Sequence, residues 1–123
     1  MDDVELYFNN SLEALKDSEL AFNNERYKLS INRSYYPVFY VAKALLTKKG
    51  ITTKKHGGTI HQFGLEYVVN DEFDREIAQI FSDLEELRND ADYDIHLIFN
   101  KKTAEDALKN AKIFIKESEK FIQ

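Results

Sequence analysis

Apolar residues recur along this chain at steps of three and four, the spacing of one face of an α-helix. Val4, Phe8, Leu12, Leu15 and Phe22 mark such a face from about Asp3 to Phe22, with Glu5, Glu13, Lys16 and Asp17 between them. Asn23 and Asn24 predict a break, because asparagine competes for backbone hydrogen bonds and caps well. From about Glu25 to Lys49 the stripe widens. Tyr27, Ile31, Tyr35, Val38, Ala42 and Leu45 share one face, and Tyr36, Phe39, Tyr40 and Leu46 extend it nearly all round. A helix apolar on most sides is expected at the centre of a bundle. Lys48 and Lys49 followed by Gly50 predict its end, with glycine at the C′ position.

Pro37 interrupts that second helix. A proline there removes a hydrogen bond and clashes one turn back, so either the helix kinks near Arg33 and Ser34 or two helices meet. The apolar period continues across Pro37, which favours one kinked helix. Ile51 to Gly58 reads as a loop, and a short helix is expected from about Thr59 to Val69. Asn70 and Asp71 are placed to break it and cap the next. The fourth segment, about Glu72 to Ala91, carries Phe73, Ile77, Ile80, Phe81, Leu84, Leu87 and Ala91 on one stripe. Arg88 follows Leu84 by four residues and should sit partly buried on the stripe's edge. After a connection from Asp94 to Lys102, Thr103 reads as the cap of a last helix through Phe121, with an acid three residues on.

Composition narrows the fold. With four glycines and one proline the chain has few places to turn, which suits long helices better than many short strands. The whole, residues 1–123, is expected to be one all-α domain, a four- to five-helix antiparallel up-and-down bundle. There is no cysteine, so disulfides and thiolate metal sites are excluded. No apolar run approaches the roughly 20 residues that span a bilayer, and the first residues are acidic where a signal peptide is basic. A cytoplasmic protein without a membrane partner is the expectation. The net charge of −5 disfavours indiscriminate binding to a phosphate backbone. Yet Lys43, Lys48, Lys49, Lys54 and Lys55 occupy a segment without acids, followed by His56. That corner suits a nucleotide, an RNA strand or an acidic partner; as a plain helix end it favours the dipole.

The candidate chemistry gathers at two stretches. Arg88-Asn89-Asp90-Ala91-Asp92-Tyr93 places a guanidinium, carboxylates and a phenol within two helical turns, and Asn32-Arg33-Ser34-Tyr35-Tyr36 opens an aromatic run. Arg88 and Asp92 stand four apart, close enough to pair. As a structural feature this is an ion pair; as a site, Arg88 presents a donor fork that suits phosphate, and Asp92 orients it. Tyr93 could donate a hydroxyl or pack. One of Tyr35 and Tyr36 should reach Arg88 and the other should be core. Lys55 and His56 can serve as phosphate contacts, and His56 as an acid or base. His96 reads as packed or exposed. Asp90, Asp92 and Asp94 open like a calcium loop, but Ile95 and Lys101 stand where it needs glycine and glutamate. No metal or cofactor is implied.

These residues resemble a family. Asn32-Arg33-Ser34-Tyr35-Tyr36 with Phe39, Ala42-Lys43-Ala44-Leu45-Leu46 and Gly50 is similar to a helix of small prokaryotic HEPN-domain proteins. Lys55-His56-Gly57-Gly58 with Phe63-Gly64, and Arg88 through Tyr93 (an R-x-x-A-D-Y pattern), resemble two further segments of that group. The resemblance runs from about Leu20 to Tyr93. It implies an all-α bundle, often a homodimer, commonly encoded beside a minimal nucleotidyltransferase. It also implies metal-independent ribonucleases and toxins of toxin–antitoxin pairs, whose motif is an arginine followed after four to six residues by a histidine. Here Tyr93, Asp94 and Ile95 occupy those places, and His96 comes one position later. Pro37 stands where a small residue is expected.

Three readings follow. The first is a HEPN-type module that binds a nucleotide or RNA and partners a nucleotidyltransferase in a toxin–antitoxin-like pair. It would act through Arg88, with Arg33, Tyr36, Lys55, His56, Asp92 and Tyr93 around it. The second is a metal-independent ribonuclease acting as a dimer through Arg88, with His56 or His96 moving the proton. The third is a helical interaction protein whose Arg88–Asp92 pair is purely structural.

Overall fold

A computed structural model describes residues 2–122, and most of them are helical. They are α1 (Asp3–Asn23), α2 (Tyr27–Lys48), α3 (His56–Phe63), a π-helical segment (Gly64–Val69), α4 (Arg75–Tyr93) and α5 (Lys101–Ile122), with no strand among the described residues. The architecture is the all-α bundle that the periodicity predicts. Residue pairs show the antiparallel order: Ser11 meets Pro37 and Ser18 meets Ser30 across α1 and α2, while Phe81 meets Phe114 and Phe73 meets Phe121 beside α5. The central helix is α2, which packs on all four other helices.

The first helix does not face the core with the stripe that its large residues predict. Its buried positions are Ser11, Ala14, Ser18 and Ala21, while Leu12 and Leu20 are exposed. Phe8, Leu15 and Phe22 flank that seam and pack against the core edge. Small side chains let two helix backbones approach closely, and the serines satisfy their hydroxyls in doing so. Ser18 Oγ donates to the Ser30 carbonyl at 2.9 Å, and Ser30 Oγ donates back to the Ser18 carbonyl at 2.9 Å. Ser11 Oγ donates to the Pro37 carbonyl at 2.6 Å. Replacing Ser30 with leucine should overpack this seam and lower stability by about 1–3 kcal/mol, as urea unfolding would show.

One helix runs across Pro37, so the alternative of two helices meeting there is overturned. The end of α2 is built as expected. Gly50 adopts φ +74°, its N–H donates to the Thr47 carbonyl, and the Ile51 N–H donates to the Leu46 carbonyl. This is a Schellman closure, in which only glycine takes the left-handed position without steric cost. The Leu45 carbonyl, freed by the tightened last turn, accepts from the buried Tyr67 hydroxyl. The same closure ends α1, with Glu25 rather than a glycine at φ 60°.

Three boundaries differ from expectation. Helix α3 begins at His56, so His56, Gly57 and Gly58 form its first turn instead of a loop. The cap of α4 is Asp74, whose carboxylate accepts from the Ile77 N–H at 2.9 Å, and not Asn70 or Asp71. The cap of α5 is Asn100, which accepts from both the N–H and the hydroxyl of Thr103. The centre of the bundle is aromatic: Phe114 lies against Phe63, Phe73 and Phe81 at ring-centroid distances of 5.3–5.9 Å.

Candidate functional site

The aromatic run of α2 makes a bed between α3 and α4. Tyr35 is fully buried and packs against Phe39 and, on α4, Phe81. Because Tyr36 follows by one residue, it turns about 100° round the helix and stays half-exposed. His56, the first residue of α3, lies flat on Phe39 with centroids 4.2 Å apart and planes 12° apart. Its Nδ1 stands 2.7 Å from the Tyr35 hydroxyl. From α4, the Arg88 guanidinium covers the same Tyr35 ring at 4.7 Å and reaches Tyr36 at 5.9 Å. Arg33 lies over Tyr36 at 5.8 Å. Arginine stacks well on aromatic faces because its planar cation is weakly hydrated.

Asp92 fixes this arrangement from one turn further along α4. One carboxylate oxygen lies 3.4 Å from Arg88 Nη1, and the other accepts from Asn32 Nδ2 at 2.6 Å. The carboxylate therefore ties α4 to α2 as well as orienting the guanidinium. Arg88 keeps capacity in reserve. Its side chain is only 14% exposed, and its Nε–H is buried without a partner among the described residues. A buried donor left unpaired costs about 1–3 kcal/mol, so an acceptor that reached it would gain more than it does at an open surface.

Electrostatics single out His56. Burial first, then the Arg88 cation and Lys43, hold its pKa below the ordinary 6.5, against the opposing pull of Glu85. Burial likewise pushes the Tyr35 phenol upward, so it stays protonated. Lowered basicity in the fold means that the unfolded chain takes up a proton that folded His56 refuses. The contribution of this group is complete above pH 6.5 and is lost as pH falls through the folded value. Thermal unfolding followed from about pH 7.5 to about pH 5 should show the midpoint dropping, and less steeply in His56→Gln.

The structure brings together Arg88, Asp92, Tyr36, Arg33 and His56 of the residues that the sequence singles out. Both Tyr35 and Tyr36 reach Arg88, so the expected division between them does not hold; Tyr35 is core and site at once. Lys55 is exposed, and its backbone carbonyl serves α3 by accepting from the Thr59 N–H. Tyr93 is 78% exposed and borders a shallow groove with Asn89, Asp94 and His96, apart from the Arg88 cluster. His96 is exposed as well. Sequence reasoning missed Phe39 as the surface that carries His56, and left Tyr35 as one of two alternatives for Arg88. Their spacing of four residues inside an apolar run looks the same as core. Glu85, one turn before Arg88, acts on His56 as well, and no motif marks it. Among the described residues no cluster of three histidine, cysteine or acidic side chains could hold a metal, and no helix is long and apolar enough to cross a membrane.

Comparison with known proteins gives this geometry a context. The HEPN domain family model matches residues 4–121. A Methanocaldococcus jannaschii protein named "Putative toxin MJ0142" is 35% identical over 109 residues, which cover 89% of this chain and 74% of that one. A second protein of that organism, "Putative toxin MJ0605", is 38% identical over 111 residues, covering 89% and 76%. A Thermotoga maritima protein named "UPF0332 protein" is 31% identical over 120 residues, covering 98% of this chain and 91% of its own. With its helical order, its central aromatic helix and a family match over nearly its full length, this chain belongs to the HEPN domain family.

Proposed function

We propose that the chain is a toxin-like HEPN module that binds the phosphate of a nucleotide or RNA through Arg88, as partner of a minimal nucleotidyltransferase. The observation that carries this reading is Arg88 itself: a guanidinium held on two tyrosines by Asp92, with a buried Nε–H that has no partner among the described residues. Phosphate oxygens are the acceptors that match such a fork. Tyr36 and Tyr40 add half-exposed rings beside Arg33, a surface on which a base can stack.

Charge distribution supports the same ligand class. All 22 acidic residues lie outside the stretch 26–65, which holds eight of the 17 basic ones. The stretch that builds α2 and the start of α3 is thus locally cationic on an acidic protein. Two relatives whose names include "toxin" support the toxin-like part of the reading, and the sequence resemblance supports a nucleotidyltransferase partner and a homodimer.

A ribonuclease is the second reading, favoured by one observation: His56 shares the Tyr35 ring with Arg88, although the two lie 32 residues apart in the chain. Incubating the purified chain with single-stranded RNA and a chelator separates the two. The binding reading expects retarded, intact RNA with wild type and free, intact RNA with Arg88→Ala. Chelator-resistant cleavage that vanishes in Arg88→Ala would replace it with the ribonuclease.

A further inference from the structure

Tyr35 is fully buried, and the one hydrogen-bond partner of its hydroxyl among the described residues is His56 Nδ1, 2.7 Å away. A buried phenol places its proton in a hydrogen bond, because an unpaired buried donor is costly. Among the described residues the acceptor that it meets is the Nδ1 lone pair. Tyr35 therefore donates and His56 accepts. A neutral imidazole carries one ring proton, and with Nδ1 accepting, that proton sits on Nε2.

We infer that Tyr35 is a positioning residue that holds His56 as a neutral imidazole with its proton on Nε2, so that His56 and Arg88 together form a donor pair for phosphate. This rests on the phosphate-binding reading above and sharpens it. The opposite arrangement, with Nδ1–H donating to the phenol, strands the tyrosine proton in the core. Protonating His56 has the same consequence. The surrounding charges act in the same sense: Arg88 on α4 and Lys43 on α2 disfavour a further cation at His56, and Glu85 on α4 opposes them.

The chemical consequence is specific. An imidazole that carries its proton on Nε2 can donate to a phosphate oxygen but cannot take a proton there from a ribose hydroxyl. Arg88 supplies charge, and His56 supplies direction. A site so arranged holds a phosphate without providing the base that RNA cleavage requires.

Nitrogen-15 labelling of the histidines in the full chain, read by NMR, tests this directly. The expected spectrum at about pH 7 has His56 Nδ1 unprotonated and Nε2 protonated. In Tyr35→Phe, which removes only the hydroxyl, the two tautomers should mix. A wild-type His56 protonated on Nδ1, or on both nitrogens, would overturn the inference without any variant. The donor role has its own readout in titrations with inorganic phosphate. His56→Gln keeps a neutral donor and should bind about tenfold tighter than His56→Leu, the worth of one hydrogen bond to a charged group. Equal losses in the two variants would overturn that role. If wild type bound no phosphate at all, the binding reading would fall with it, while the spectrum would still decide the tautomer.

Discussion

Replacing Arg88 with alanine is expected to weaken binding of a nucleoside monophosphate by about ten- to a hundredfold while leaving the chain folded. The affinity loss follows from removing charge-assisted bonds, each worth about 1.5–3 kcal/mol, in a partly buried setting. The stability loss should be small, about 1 kcal/mol. Arg88 gives the fold a cation–π contact and a half-screened ion pair, and neither is worth more than that scale here. Asp92 would also keep its 2.6 Å bond from Asn32, so the α2–α4 tie survives. Nucleotide-dependent thermal stabilisation measures both quantities in one series, since the midpoint without ligand reports stability and its shift reports binding. Arg88→Lys should fall between wild type and alanine, because lysine retains the charge and loses the fork. A loss of several kcal/mol with no change in binding would instead favour the purely structural reading of Arg88–Asp92.

The largest effect on folding is expected at Phe114. It is fully buried on α5 and touches Phe63 of α3, Phe81 of α4 and Phe73 at the entry to α4. Truncating it to alanine removes the ring that three elements share. The cost should be about 3–5 kcal/mol, near the upper range for a buried phenylalanine, since the rigid rings around it cannot collapse into the gap. For a domain with a total stability of about 5–15 kcal/mol, that leaves little in hand. Urea unfolding with an unchanged m-value and a much lower midpoint would show it. By contrast Leu20, 64% exposed on α1, should tolerate alanine with a change within about 0.5 kcal/mol.

The helices were legible because their large apolar residues repeat at three and four, and because Gly50 after Lys48 and Lys49 marks a left-handed stop. The face of α1 was not. Its seam uses Ser11, Ala14, Ser18 and Ala21, which count as polar or neutral in any hydrophobic pattern, and what buries them is close backbone approach. The caps were misassigned for a different reason. Asn70, Asp71 and Asp74 can all cap a helix, as can Asn100 and Thr103, and only the backbone angles decide between them. The π-helical segment leaves no mark in the periodicity at all.

At the site, the pairing of Arg88 with Asp92 was legible from spacing, whereas spacing left Tyr35 and Tyr36 as alternatives. Tyr93 lies apart from that cluster because one residue beyond Asp92 turns the side chain about 100° away. The partnership of His56 with Arg88 depends on how α3 docks, a contact between distant segments that no local pattern encodes. In the sequence His56 is marked only by the lysines before it and the glycines after it. Its actual support is a stack on Phe39 and a bond to Tyr35.

The central claim is that a phosphate ligand completes the hydrogen bonding of Arg88 beside His56. The most direct measurement is an NMR titration of the labelled chain with a nucleoside monophosphate, following the Arg88 side-chain Nε–H. Binding at this site should move that resonance, together with those of His56 and Tyr36, and the shifts should disappear in Arg88→Ala. Binding that leaves the Arg88 Nε–H unmoved and instead perturbs the groove of Tyr93 and His96 would contradict the account.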